Sequence, residues 1–267
     1  MQLKDSVVVV TGAGSGIGAE LARRFAAVGA RAVEVVDLHL DAAERVVAEI
    51  GPQARASAID VTDESAVLGL VEQILDRHGH IDLFCSNAGL ATGIGLQGGE
   101  RAAMAWQQAW EVHVMAHVYA ARAVLPSMIA AGRGYLLNTA SAAGLLSAPG
   151  DATGTASKHA AVAFAEWLAY QHAHQGIRVS TLCPMGVDTP LLMDGLSAGN
   201  AAAKAVAASA EIIGVEQVAD AVIEGVSSES FLILPHPQVG TLFAGKAADV
   251  QSWLAGMSRL ARAAGTA

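Results

Sequence analysis

The chain has 267 residues, 53% of them hydrophobic but only 4% aromatic, and a formal net charge of −9 at pH 7. That length suits one α/β domain or two small ones with a full core, built by close approach of helix and sheet rather than by large rings. The acidic balance, with a pI near 5.4 and no basic stripe, argues against a nucleic-acid partner and is read as a solubility feature.

Val7 to Val10 reads as a first strand that empties into Thr11-Gly12-Ala13-Gly14-Ser15-Gly16-Ile17-Gly18, followed by a helical pattern from Ala19 to Val28. Glycines at such a turn give the backbone conformations barred to other residues and let a diphosphate lie against the amides of a helix N-terminus. A second strand, Ala32 to Val36, closes on Asp37, about 20 residues beyond the glycines, where a carboxylate meets a ribose hydroxyl. Strand, turn, helix and acid in this order predict a dinucleotide site.

Helical and strand-like periods then alternate, the pattern of a parallel sheet covered on both faces. A helix is expected over 41–50, a strand over Ala54–Ile59 ending at Asp60-Val61, a helix over Glu64–Arg77, and a fourth strand over Ile81–Ser86 that runs into Asn87-Ala88-Gly89 and a glycine-studded loop through Gly99. One long helix is predicted from about Ala103 to Ala131, a fifth strand over Gly134–Thr139, a helix over Thr155–Gln175 and a sixth strand over Ile177–Leu182 leading to Cys183-Pro184. Residues 190–213 are small and flexible in composition and are expected to form a substrate lid. A helix over Val215–Val226, a seventh strand over Phe231–Leu234 and a terminal helix over Ala244–Ala263 complete one domain spanning 1–267, with no repeat and no linker. The helices over 103–131 and 155–175 carry more apolar residues than one buried face needs, so a homodimer or homotetramer is expected.

Cys85 and Cys183 lie in apolar stretches without partners at metal-ligand spacing and read as reduced, buried thiols. His113 and His117 stand one helical turn apart but lack a further ligand, so no metal is expected. Lys4 and Asp5 run straight into the first strand, leaving no room for a signal peptide, and no apolar run reaches membrane-spanning length. A cytoplasmic protein with no membrane partner is the expectation.

In four landmarks the chain resembles the short-chain dehydrogenase/reductases over essentially its whole length. These are the turn Thr11-Gly12 to Gly16-Ile17-Gly18, the pair Asp60-Val61, the loop Asn87-Ala88-Gly89 and the segment Pro184 to Val187 and Thr189-Pro190. The resemblance implies a Rossmann-type doubly wound parallel sheet of about seven strands, a nicotinamide cofactor and hydride transfer between a secondary alcohol and a ketone. It assigns the cofactor to Gly12, Ser15, Gly16, Ile17, Gly18, Asp37, Asp60, Val61, Asn87, Ala88, Gly89, Lys158, Pro184, Val187 and Thr189. Asp37 would repel a 2′-phosphate, and neither the turn nor Leu38-His39-Leu40 offers an arginine to receive one, so NAD is expected over NADP. A fairly apolar substrate is suggested by Leu90, Leu145, Leu146, Met185, Leu191 and Leu192.

The family's proton donor is a tyrosine four residues before a lysine, helped by a serine. Ser141 and Lys158 match the serine and the lysine, but Gly154 stands where the phenol belongs, and Tyr119, Tyr135 and Tyr170 fit no register that could replace it. His113 stands where the family usually has an asparagine that holds a proton-relay water. The chain reads as a dehydrogenase scaffold with catalytic positions Ser141, Lys158, Gly154 and His113, impaired by engineering or otherwise, and with extra room beside the nicotinamide. Its rivals are a natural enzyme using His113, Thr155, Asp151 or a water as donor, a non-catalytic NAD-binding protein, and an enzyme using the Lys158 amine as a nucleophile.

Overall fold

Seven parallel strands stand in the order β3-β2-β1-β4-β5-β6-β7 in the computed structural model, which describes residues 1–93, 96 and 99–266. They are β1 (Val7–Thr11), β2 (Ala32–Asp37), β3 (Ala54–Ala58), β4 (Leu83–Ser86), β5 (Gly134–Thr139), β6 (Ile177–Leu182) and β7 (Leu232–Ile233). β1 is valine-rich because both its faces are covered: Val8 and Val10 enter one apolar cluster, Val7 and Val9 the other, the period of two of a pleated strand. The first cluster is closed by α1 (Gly16–Ala27), α2 (Leu40–Ile50) and α10 (Val215–Ser228); the second by α3 (Glu64–His78), α5 (Ala116–Ala130) and α7 (Ala152–His172). The expected single-domain α/β fold with a seven-stranded doubly wound sheet is therefore the one observed. Cys85 and Cys183 are both buried free thiols. Among the described residues no helix is long and apolar enough to cross a membrane.

Four helical expectations need correction. The predicted helix over 103–131 is α4 (Gly99–Trp110) and α5 joined by a π-helical turn, Glu111–Met115, where one extra residue per turn shifts His113 inward. α7 begins at Ala152, three residues before the predicted start, because the Asp151 side chain accepts from the Gly154 N–H and caps it there. Residues 190–213 are not irregular: α8 (Pro190–Ser197) starts under a Thr189 cap with proline at its first position, and α9 (Ala201–Ser209) under an Asn200 cap. The terminal helix is two, α11 (Gln238–Ala248) and α12 (Val250–Ala263), separated at Asp249, whose side chain caps the second. A short α6 (Ala143–Leu146) follows β5. Of the loop expected through Gly99, residues 94, 95, 97 and 98 lie outside the described residues.

The right half of the sheet is tied by a buried polar chain. The Tyr135 hydroxyl lies 2.6 Å from Ser180 Oγ, which donates to the Ser230 carbonyl at 2.5 Å. With Ser180 donating onward, the phenol is its donor. Tyr135→Phe should leave Ser180 one partner short and cost about 1–2 kcal/mol, measured as a lower urea midpoint at unchanged m value.

Candidate active site

The chain reverses its direction of winding between β1 and β4: β2 and β3 are laid to one side of β1, β4 and its successors to the other. In open parallel sheets such a switch leaves a crevice at the carboxyl ends of the two strands. Thr11 and Asn87, the residues at those ends, lock to each other. The Asn87 amide donates to Thr11 O at 3.1 Å, and the backbone N–H groups of Asn87 and Ala88 donate to Thr11 Oγ1 at 3.0 and 3.2 Å. Thr139 at the end of β5 adds a third strand by donating to Asn87 Oδ1 at 3.1 Å. Approach is so close that a Cβ at Gly12, where φ is +62°, would lie 2.7 Å from Ala88 Cα.

From this clasp the glycine turn enters α1. Ser15, at the N-cap, makes no side-chain cap and the first turn holds no acid, so its amides stay available to an anion. A Cβ at Gly18 would lie 2.5 Å from Asn87 Nδ2, and Gly16, at φ +53°, sits against Thr189. Glycine at these positions lets the turn, the loop after β4 and Thr189 approach one another with no Cβ between them. Asp37 stands beside the turn, its two oxygens accepting from the N–H groups of Gly14 at 2.8 Å and His39 at 3.0 Å. The Asp60 carboxylate is engaged in a turn with Thr62, at 2.9 Å to its N–H and 2.7 Å to its hydroxyl.

One cleft of about 1700 Å³ is lined by Gly12, Ser15, Gly16, Ile17, Gly18, Asp37, Asp60, Val61, Asn87, Ala88, Gly89, His113, Ser141, Lys158, Pro184, Val187 and Thr189. The cofactor and catalytic candidates named from the resemblance therefore meet there, except Gly154, which is buried behind the wall. Uncapped amides, glycines without room for a Cβ, and a carboxylate a short step away are a donor set that fits a dinucleotide.

At the far end Ser141 Oγ accepts from Ala143 N–H at 3.1 Å, so it shapes the turn after β5 while facing the cleft. Lys158 reaches from α7 to donate to the Thr139 carbonyl at 3.0 Å, and burial pulls its amine down to about 8. His113 is nearly inaccessible; its Nδ1 lies 2.8 Å from Ser157 Oγ and its Nε2 3.0 Å from Leu90 O. Burial, with Lys158 nearby, holds His113 at about 2 and His117 at about 3. Among the described residues no three metal-binding side chains cluster.

The extra room expected beside Gly154 needs correction. A Cβ built there would collide with Asp151 Oδ2 and lie 2.8 Å from its Cγ: the capping carboxylate already fills the root of that space. Of the apolar residues proposed for the substrate, Leu90, Leu146, Met185, Leu191 and Leu192 line the cleft, whereas Leu145 turns into a small core under α6. The sequence reading missed the wall contributed by α12: Trp253, Met257 and Leu260. Their spacing of four and three residues on one helical face was the available signal. Tyr119, Tyr135 and Tyr170 do not line the cleft.

The family described as short chain dehydrogenase matches residues 6–198. A 1-deoxy-11-beta-hydroxypentalenate dehydrogenase of Streptomyces exfoliatus is 39% identical over 240 residues, covering 88% of this chain and 85% of that one. Among solved structures, a short chain dehydrogenase/reductase from Burkholderia phymatum in complex with NAD superposes with a TM-score of 0.83 at 26% identity, covering 94% of this chain and 96% of the other. A short chain dehydrogenase from Burkholderia cenocepacia J2315 in complex with NADP gives 0.81 at 25%, covering 97% and 99%. The chain belongs to the short-chain dehydrogenase family, an oxidoreductase family whose neighbouring structures hold NAD or NADP.

The two buried histidines make stability acid-sensitive. Unfolded, they take up protons near 6.5; folded, only near 2 to 3, so between these limits the unfolded state binds more protons and stability falls as pH is lowered. Melting temperature should drop from pH 7 to pH 4, and His117→Leu should flatten that slope; an unchanged slope in the variant would contradict the assignment.

Proposed function

We propose that this chain is an NAD-dependent short-chain oxidoreductase scaffold for hydride transfer between an apolar secondary alcohol and a ketone, with the phenol's position taken by Gly154. The observation that carries the reading is the convergence of the glycine turn, Asp37, Asn87, Ser141, Lys158 and Thr189 on one cleft at the switch point. The cofactor, when bound, supplies the acceptor or donor of the hydride. Gly12, Gly16, Gly18 and the amides of α1 hold its diphosphate, Asp37 its adenosine ribose, Asp60-Val61 its adenine, and Asn87-Ala88-Gly89 and Lys158 its second ribose. Pro184, Val187 and Thr189 face its amide. Ser141 polarises the substrate oxygen, and the apolar wall of Leu146, Met185, Leu192, Trp253 and Met257 takes the hydrocarbon body.

Likeness to other structures leaves the cofactor open, since neighbours hold either form. Asp37 supports NAD: its charge stands beside the α1 turn, and Leu38, His39 and Leu40 after it offer no guanidinium to a 2′-phosphate. Helices α8 and α9, in 190–213, form the lid over the substrate end. The exposed Met104, Trp110, Trp167 and Tyr170 on α4 and α7 supply the contacts of a homodimer or homotetramer. The absent phenol favours one second reading, a binder of NAD without turnover.

Thermal-shift titration should give NADH at least tenfold tighter than NADPH, and Asp37→Ser should bring the two together. Equal affinity in the native chain would overturn the NAD reading, and indifference to both nucleotides would overturn the whole assignment.

A further inference from the structure

We propose that the Asp151 carboxylate serves as the proton-transfer group of this cleft, acting from the root of the space that a side chain at position 154 would occupy. The inference rests on the dehydrogenase reading above and goes beyond it by naming the base.

The geometry sets Asp151 apart from the groups around the start of α7. Several hydroxyl, ring and amine groups packed near it are engaged by the protein. His113 is held at both nitrogens by Ser157 and Leu90. Thr155 Oγ1 accepts from Ala148 N–H at 3.0 Å and lies 3.4 Å from the Ala148 carbonyl. Ser157 Oγ lies 2.7 Å from the Thr153 carbonyl, and Lys158 donates to Thr139 O.

Asp151 differs because its two oxygens have separate roles. Oδ1 is pinned: it accepts from the Gly154 N–H at 2.9 Å and the Thr153 hydroxyl at 2.9 Å, and Thr92 Oγ1 lies 3.3 Å away. Thr92 and Thr153 also hydrogen-bond to each other, so the loop after β4 is tied to the start of α7. These contacts fix the carboxylate plane. Oδ2 has no hydrogen bond to any described residue, occupies the place of a Cβ on Gly154, and belongs to a residue of the cleft wall that also holds Ser141 and Lys158. A carboxylate anchored through one oxygen and free at the other is arranged as a base rather than as a cap alone.

A phenol would carry its oxygen a ring's length beyond that Cβ, so the carboxylate stands short of the reacting oxygen and works through one water. In the oxidation direction the substrate O–H bond breaks and its proton passes to that water, which gives one of its own to Asp151 Oδ2. The O–H bonding pair would become the second C–O bond, and an oxidised nicotinamide, when bound, would supply the acceptor for the carbinol C–H pair. Asp151, then a neutral acid, returns the proton to solvent.

Two measurements test this. The first is geometric and needs no turnover. Gly154→Ala should lower the melting temperature of the native chain by about 2–4 °C, because the new methyl displaces the carboxylate. In an Asp151→Ser background, which keeps a cap, the same change should be neutral or stabilising, as Gly→Ala in a helix ordinarily is. Equal effects in both backgrounds would show that Oδ2 does not occupy that place and would overturn the proposal. The second is chemical, with cyclohexanol and decahydro-2-naphthol as probe alcohols and NAD⁺. Asp151→Asn, isosteric and still able to cap, should lose at least 100-fold in kcat while its NADH-induced thermal shift stays unchanged; retention within threefold would overturn the proposal. Turnover by Asp151→Ser/Gly154→Tyr beside an inert native chain would also overturn it, leaving the dehydrogenase scaffold reading intact. If NADH binds and neither form turns over, the dehydrogenase reading fails and the assignment falls with it.

Discussion

Everything chemical in this molecule hangs on the clasp between Thr11 and Asn87 at the carboxyl ends of two adjacent parallel strands. Strands there present unpaired backbone groups to a crevice, and the molecule must satisfy those it buries while leaving others free for an anion. One threonine hydroxyl and one asparagine amide satisfy the buried ones. The amides of α1 are left open because Ser15 does not cap them. Glycine is required at 12 because the two loops approach within contact of each other's backbones, and at 18 because a Cβ would run into the Gly12 carbonyl and the Asn87 amide. The glycine turn and the clasp are thus one structure.

The substrate end runs on a different principle, desolvation. Lys158, His113 and His117 all have their charged forms disfavoured by burial, yet Lys158 keeps a carbonyl partner and a wall of the cleft. A neutral, doubly engaged His113 works as a brace between the loop after β4 and α7. The π-helical turn is what delivers it: without the extra residue at Glu111–Met115 the ring would rotate off that line. Asp151 does two jobs with one side chain, starting α7 where Lys158 comes into register and filling the space above Gly154.

Much of this was legible in the sequence because local patterns carried it. Alternating periods gave all seven strands, with small errors at their ends, and glycine spacing with Asp37 located the turn. Where local rules competed, reading failed. A continuous apolar period cannot reveal a π-helical turn, since the inserted residue only shifts the stripe. Small residues over 191–210 suggested flexibility, although caps at Thr189 and Asn200 make two helices of them. Asp151 was visible as a candidate, but its position against Gly154 depends on a side-chain direction that spacing does not encode.

Sequence by itself determined the order of the seven strands, the family and the glycine turn with its acid, because each is carried by a pattern within a short run of chain. Only the tertiary structure decided that α12 closes the substrate wall, that Leu145 turns away from it, and that a carboxylate rather than empty space lies beside Gly154. Those depend on which surfaces meet across the fold, and packing between distant segments is chosen by shape and burial of the whole molecule rather than by any local run of residues.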